Sequence, residues 1–320
     1  MNCPICLSES IKMKNEKYDD RYACPGIFQI GICSSCGHHF VLDANGIDIG
    51  KLYTEFYPRK NYRDTYKTPL FEKKKKFWEW LNGNNNSVYK NVPRNVKVLD
   101  IGCGDCRSLF YYKERGCDVT GIEADENVAF LKENFGDKLV IGEFGLGLFG
   151  KESFDYVTLD QVVEHFDKPI EKLLTVNDAL KKGGKIVLTT PNSSGWGVKI
   201  FGKYWINWHT PYHLNLFSKK SIEIALESAG YKIIKIKTST SPEWLSYQWS
   251  HIVFYPEEKN PSFFWSDKEI KISIKVKIGR KKFDRYIYNL LHRTKINHII
   301  TRIFDCLGMG DNLLVIAEKK

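Results

Sequence analysis

The sequence predicts an open, mostly parallel α/β sheet, and three observations predict it. The stretch VKVLDIGCGDCRSLFYYKER (96–115) runs from an apolar β segment (Val96, Val98, Leu99, Ile101) through Gly102 and Gly104 into a segment, from Ser108, that can begin a helix. A second apolar run, DVTGIE (118–123), ends in Glu123, a carboxylate about twenty residues beyond the turn, where such folds hold ribose hydroxyls. Two further strands are expected at Phe154–Leu159 and Ile186–Thr190, the second announced by the Gly183-Gly184 turn. A strand, a glycine turn and a helix in that order aim backbone N–H groups into the crevice at the strand's carboxyl end.

The elements VLDIGCGD, IEAD, FDYVTLDQVVEH and LKKGGKIVLTTPN together resemble, in order and spacing, the class I S-adenosylmethionine-dependent methyltransferases. The resemblance implies a Rossmann-like sheet of seven strands with the last antiparallel, the sixth at Tyr231–Lys237 and the seventh at Asn312–Glu318. It places Asp100, Gly102, Cys103 and Gly104 around the methionine half of S-adenosylmethionine, and Glu123 and Ala124 at the ribose. Glu143 and Phe144 flank the adenine, and Asp160 and Gln161 complete the cofactor set. Cys106 stands where the family most often has a third glycine; the Cys103-x-x-Cys106 pair is read as packing.

With 320 residues and 42% hydrophobic content, the chain is long enough for one α/β core and an additional module. No apolar run reaches transmembrane length and MNCPICLSES lacks a signal-peptide core, so a soluble, cytoplasmic protein is expected. The net charge is +10, and the segment Lys268–Arg302 alone, with seven Lys and four Arg against Glu269 and Asp284, carries +9. Such a surface favours phosphate-bearing partners or is simply solvated.

Nine cysteines without an export signal suggest metal binding or packing. Cys3-x-x-Cys6 and Cys33-x-x-Cys36, followed by Gly37, form two knuckles suited to a closed, structural zinc site. Cys24, His38 and His39 are spare potential ligands. The expected organisation is a zinc ribbon at 1–45, then an aromatic helical connector and linker at 46–89. A methyltransferase domain at 90–320 follows, with an acceptor loop at 190–217 and a cap insertion at 238–311. Tyr53, Phe56, Tyr57, Phe71, Phe77, Trp78 and Leu81 are expected on helices covering the cofactor side, with Lys73–Lys76 as the wet face and NGNNNS (82–87) as a polar linker.

Methyl transfer requires positioning and removal of a proton, and His165, beside Glu164, is suited to that near neutral pH. Packing or capping is the alternative role for His165. The Glu-His pair also resembles ubiquinone-type O-methyltransferases and small-RNA methyltransferases, whose Glu-x-x-Glu-His set binds magnesium; Gln161 replaces the first glutamate, which puts magnesium in doubt. The run WINWHTPYHLNLFS resembles sugar-type methyltransferases, whose P-x-H-L-x-x-F-S segment lines the acceptor pocket. His213 and His209 are therefore further catalytic candidates, or members of a lid. Ser218 is expected to cap a helix ending near Gly230. Ile270, Ile272, Ile274, Val276 and Ile278 alternate with polar residues and predict a half-exposed strand. Phe283 to Leu307 recur at helical spacing, together with Arg285, Arg293, Lys295 and Arg302 on one helix, for a cap or for membrane-surface docking.

The expected function is methylation, with O-methylation ahead of C- or N-methylation, of a sugar that is nucleotide-linked or part of a surface polysaccharide or glycan. The runner-up acceptor is nucleic acid, as in RNA methyltransferases that carry a zinc ribbon, and the third reading is a non-catalytic zinc-ribbon binding module. Peripheral membrane contact belongs with these partner expectations; the oligomeric state is not legible.

Overall fold

The computed structural model describes residues 2–42, 44–58, 63, 66–69, 71, 75–83, 86–266 and 274–320. The two cysteine knuckles bracket an antiparallel hairpin of β1 (Ile11–Lys17) and β2 (Phe28–Cys33), and β3 (His39–Val41) pairs with β2. Helix α1 (Ile49–Glu55) follows, started by Asp48, whose carboxylate accepts from the Lys51 N–H, and then α2 (Lys76–Leu81).

The main sheet is built from β4 (Lys97–Ile101), α3 (Arg107–Glu114), β5 (Asp118–Glu123), α4 (Lys132–Phe135) and β6 (Leu139–Ile141). Its other half comprises β7 (Phe154–Asp160), α5 (Pro169–Ala179), β8 (Leu180–Pro191), α6 (Trp196–Phe201), β9 (Asn215–Leu216), α7 (Lys219–Ser228) and β10 (Tyr231–Ser239). Helices α8 (Pro242–Val253), α9 (Ile274–Thr294) and α10 (Ile296–Cys306) precede β11 (Asn312–Lys319). The strand order is β10-β11-β8-β7-β4-β5-β6, with β11 antiparallel to both neighbours. The order reverses between β4 and β7, so the crevice at their carboxyl ends is the switch point where open α/β sheets bind ligands.

Leu99, Ile101, Val157, Leu159, Ile186 and Leu188 are fully or almost fully buried, because helices cover both faces of the parallel strands. Strand β9 belongs to the other sheet: its two residues pair with His39 and Phe40 of β3, making the ribbon sheet four-stranded. Ser218 caps α7 through a reciprocal box with Ser221, and its hydroxyl also donates to the Cys36 carbonyl at 2.7 Å.

Three expectations are corrected. The alternating segment 270–278 is not a strand where it is described: residues 274–278 form the first turns of α9, while 270–273 lie outside the described residues. Period-two alternation specifies a strand only where a sheet edge receives it, and the three-to-four spacing of Ile287 and Leu291, half-buried beside Asp284, prevails. The single long helix is two, because Lys295 adopts a left-handed conformation (φ 57°) between α9 and α10. On α2, Phe77 and Trp78 are exposed rather than packed over the cofactor side. Lys75 and Lys76 are exposed as expected, whereas Lys73 and Lys74 lie outside the described residues.

Candidate active site

The glycine turn owes its shape to positive φ angles at Gly102 (69°) and Gly104 (52°). A Cβ on Gly102 would lie 2.5 Å from Val162 Cγ2, whereas one on Gly104 would meet nothing within 4 Å, so Gly104 faces open space. Cys106, at the third position, is also left-handed (φ 59°), a conformation glycine adopts without strain. Its side chain is fully buried beside Cys103, their sulfurs 3.8 Å apart, so both pack as the sequence suggests.

Asp100 closes the floor of the turn. Its carboxylate accepts from the Ser108 hydroxyl and, at 2.6 Å, from the Thr158 hydroxyl; burial nevertheless pushes its pKa up to about 7. Glu123 accepts from the Gly104 N–H at 2.7 Å and from the Asp125 N–H at 3.0 Å, so the carboxylate at the end of β5 braces the loop. Ala124 and Glu143 are exposed at the same end of the sheet, whereas Phe144 is buried in the core.

At the end of β7 the chain turns sharply, with Gln161 left-handed at φ 58°; an uncommon conformation in a non-glycine residue often marks a functional turn. Its side-chain amide donates to Thr189, whose hydroxyl donates to Asp160. One 3-10 turn later come Glu164 and His165. Glu164 is fully buried; Oε2 accepts from Thr190 at 3.0 Å, Oε1 has no hydrogen-bond partner, and desolvation raises its pKa to about 8.

His165 Nδ1 lies 2.9 Å from the Tyr212 carbonyl and 3.3 Å from the Tyr53 hydroxyl. A carbonyl only accepts, so Nδ1 carries the hydrogen and Nε2 keeps its lone pair. Burial holds His165 down to about 4, hence neutral at physiological pH. His213 is fixed in the same tautomer by the Asn207 carbonyl at 2.8 Å. His209, left-handed at φ 38°, has a buried Nε2 without a partner. The three imidazoles cluster, with ring centroids 4.8 Å apart for His165–His213 and for His209–His213. Tyr53, from α1, is among the residues expected to cover the cofactor side, but its contact with His165, 112 residues away, has no signal in its local pattern.

Glu164, His165 and His213 each offer a ligand atom, all within 4.8 Å of one another. Two imidazoles and one carboxylate suit a transition metal rather than magnesium, a hard cation that prefers oxygen ligands, so the donor set does not fit magnesium.

Beside this turn an open cleft of about 320 Å³ extends from Asp160, Gln161 and Thr189 to Glu243, Trp244 and Tyr247 of α8. Asn82, Asn86 and Ser87 form another wall, so most of the segment expected to be a mere linker lines the cleft. No Lys or Arg lines it among the described residues.

In the ribbon, Cys3, Cys6, Cys33 and Cys36 bring their sulfurs within 4.8 Å of one another, with 3.6 Å between Cys3 and Cys36 and 3.5 Å between Cys6 and Cys33. Tetrahedral zinc with bonds of about 2.3 Å holds sulfurs about 3.8 Å apart, so the donor set fits. The knuckles match: Leu7 (φ 60°) and Gly37 (φ 72°) are left-handed, and their N–H groups donate to the Cys3 and Cys33 carbonyls. His38 and His39 take no part, His38 being tied to Asn215, and Cys24 sits with Tyr22 and Tyr212.

The sheet order, the antiparallel last strand and the glycine turn ending at a carboxylate-tipped β5 define a class I methyltransferase fold of the S-adenosylmethionine-dependent type. Residues 60–236, more than half of the sequence, match the model of the methyltransferase domain family, and the chain belongs to that family.

The tRNA U34 carboxymethyltransferase of Pseudomonas aeruginosa is 26% identical over 204 residues, covering 58% of this chain and 59% of the relative. That of Ectopseudomonas mendocina is 27% identical over 185 residues, covering 52% and 55%. The chain thus spans less than two thirds of the length of these curated relatives. Among solved structures, an S-adenosylmethionine-dependent methyltransferase from Archaeoglobus fulgidus superimposes with a TM-score of 0.41 at 20% identity, covering 72% of this chain and 88% of that one. One from Mesorhizobium loti does so with a TM-score of 0.43 at 14% identity, covering 74% and 98%.

Proposed function

We propose that the protein transfers the methyl group of S-adenosylmethionine to a hydroxyl of a sugar bound in the cleft between Gln161 and α8. The observation that carries this reading is the lining: amides, hydroxyls, two carboxylates and the Trp244 and Tyr247 rings, with no cation among the described residues. Amides and hydroxyls pair with sugar hydroxyls, and aromatic faces cover sugar C–H surfaces. A phosphate backbone would instead require cations along its track.

When bound, the cofactor supplies an electrophilic sulfonium methyl whose transfer leaves a neutral thioether. Asp100, Gly102, Cys103 and Gly104 hold its methionine end, Glu123 and Ala124 the ribose, Glu143 and Phe144 the adenine side, and Asp160 and Gln161 the reacting end. Glu123 would release the Gly104 N–H to do so. His165, four residues beyond Gln161 and behind the cleft's lining, accepts the proton of a hydroxyl that reaches past Gln161, at Nε2, with its tautomer set by the Tyr212 carbonyl and its orientation supported by Tyr53. Glu164 shapes the buried surroundings, and His213 and His209 extend the imidazole cluster. One zinc ion in the ribbon, held by Cys3, Cys6, Cys33 and Cys36, has a structural role. The ribbon (1–45), connector (46–89) and methyltransferase domain (90–320) act as one catalytic unit in this reading.

The carboxymethyltransferase relatives favour a second reading, transfer to RNA. Methyl-labelled S-adenosylmethionine incubated with an extract of cells lacking the protein separates the two. Label in nucleotide sugar or glycan supports the sugar acceptor, and label released only by nuclease overturns it.

A further inference from the structure

Helix α10 presents an apolar row to solvent. Ile296, Ile299, Ile303 and Leu307, spaced three or four residues apart, are 41–65% exposed. The inward side holds Asn297, Thr301 and Arg302, all buried. Asn297 donates to Ser246 of α8, and Arg302 donates to the Trp80 carbonyl of α2, to the Thr240 carbonyl and to Asp305. The polar side is thus fixed by directional bonds, which settles the orientation of the apolar row.

The neighbouring helices continue the pattern. On α9, Asp284 is half-buried and accepts from Ser250 at 2.6 Å, turning that side toward α8. The opposite side carries Phe283, Tyr286 and Leu290, 42–64% exposed, interleaved with Lys282, Arg285 and Arg293. On α2, beside α10, Phe77 and Trp78 are exposed next to Lys75 and Lys76. The acids on these helices are engaged within the protein: Glu79 with Lys90, Asp284 with Ser250, and Asp305 with Arg302 and Thr240.

We propose that α2, α9 and α10 form a docking face for the surface of an anionic lipid bilayer. Aliphatic side chains enter the acyl boundary, aromatic rings suit the headgroup level, and exposed cations pair with lipid phosphates. A second copy of the chain would bring one basic face against another, with no unengaged acid on these helices to compensate. RNA would engage the cations but leave the isoleucine row in water. No described helix is long and apolar enough to cross a membrane, consistent with a face that lies on the surface. The face adjoins the cleft: Glu243, Trp244 and Tyr247 come from α8, against which α9 and α10 pack, and Asn82 directly follows α2.

The test is co-sedimentation of the full chain with vesicles of phosphatidylcholine, with or without phosphatidylglycerol. Binding should require phosphatidylglycerol, weaken with salt, and fall at least tenfold in Ile299→Asp/Ile303→Asp, whose side chains are exposed and whose fold is checked by an unchanged melting temperature. Lys282→Glu/Arg285→Glu should reduce binding without touching the apolar row. Equal binding to uncharged vesicles, or undiminished binding by both variants, would overturn the proposal. So would a concentration-dependent dimer in light scattering that Ile299→Asp/Ile303→Asp dissolves, or single-stranded RNA binding that this variant abolishes.

Discussion

Glu164 makes a pH-dependent contribution to stability whose sign follows from its burial. Desolvation raises its pKa from 4.5 to about 8 in the folded chain, while Thr190 gives it only one hydrogen bond. Between these values the folded protein retains a proton that the unfolded chain has released. Stability therefore declines as pH rises through that window and levels off above pH 8. At about 1.4 kcal/mol for each pH unit, the full effect approaches ~5 kcal/mol, and relaxation around the site will make the observed value smaller. Glu164→Gln has a similar shape, can accept from Thr190, and does not titrate. Urea unfolding of both proteins at pH 5, 6, 7 and 8 should show wild type losing stability relative to the variant by several kcal/mol across the series, with equal m-values. Asp100 and Asp311, both pushed up to about 7, contribute the same trend to both proteins, so the difference isolates Glu164. A stability difference that does not change with pH would refute the reasoning.

Other outcomes follow from the same geometry. His165→Ala should lower kcat by about 10²–10⁴-fold with little change in cofactor affinity by calorimetry; unchanged turnover would remove it as the base. Gly102→Ala, forced into Val162 at φ 69°, should weaken S-adenosylmethionine binding at least tenfold, whereas normal affinity would show that the turn can yield. Metal analysis should find one zinc per chain in wild type and none in Cys33→Ser, and a metal-free, fully stable wild type would dismiss the ribbon site. Asp311→Asn puts an amide against the Trp205 and Asn207 N–H donors and should cost about 3 kcal/mol in denaturant unfolding.

The parallel core was legible because its signals are local: an apolar strand, a glycine turn and a terminal carboxylate lie within about thirty residues of one another. The ribbon's four sulfurs were legible through knuckle spacing, and the α7 start through Ser218. The cleft was not, since Asn82 and Asn86 belong to a stretch whose composition matches any polar linker, and Trp244 joins them only after folding. The strand expected at 270–278 illustrates the opposite error: lysine alternation gave a strong local signal, but the helix from Ile274 sits where contacts with α8 can decide the outcome. The cofactor and histidine positions are expectations drawn from order along the chain, while the tautomers of His165 and His213 depend on carbonyls 47 and 6 residues away.

Strand β9 gives the amino-terminal module a part in the site itself. Its two residues complete the ribbon sheet, while the same loop supplies the Tyr212 carbonyl that orients His165. Asn215 ties His38 to the Phe166 carbonyl, and Ser193 reaches the Gly37 carbonyl. The amino-terminal module is therefore a missing half of the loop's own framework, not a bead on a string. Deleting it would strip β9 of its partner, and grafting it onto another methyltransferase would carry no stable edge unless this loop travelled with it.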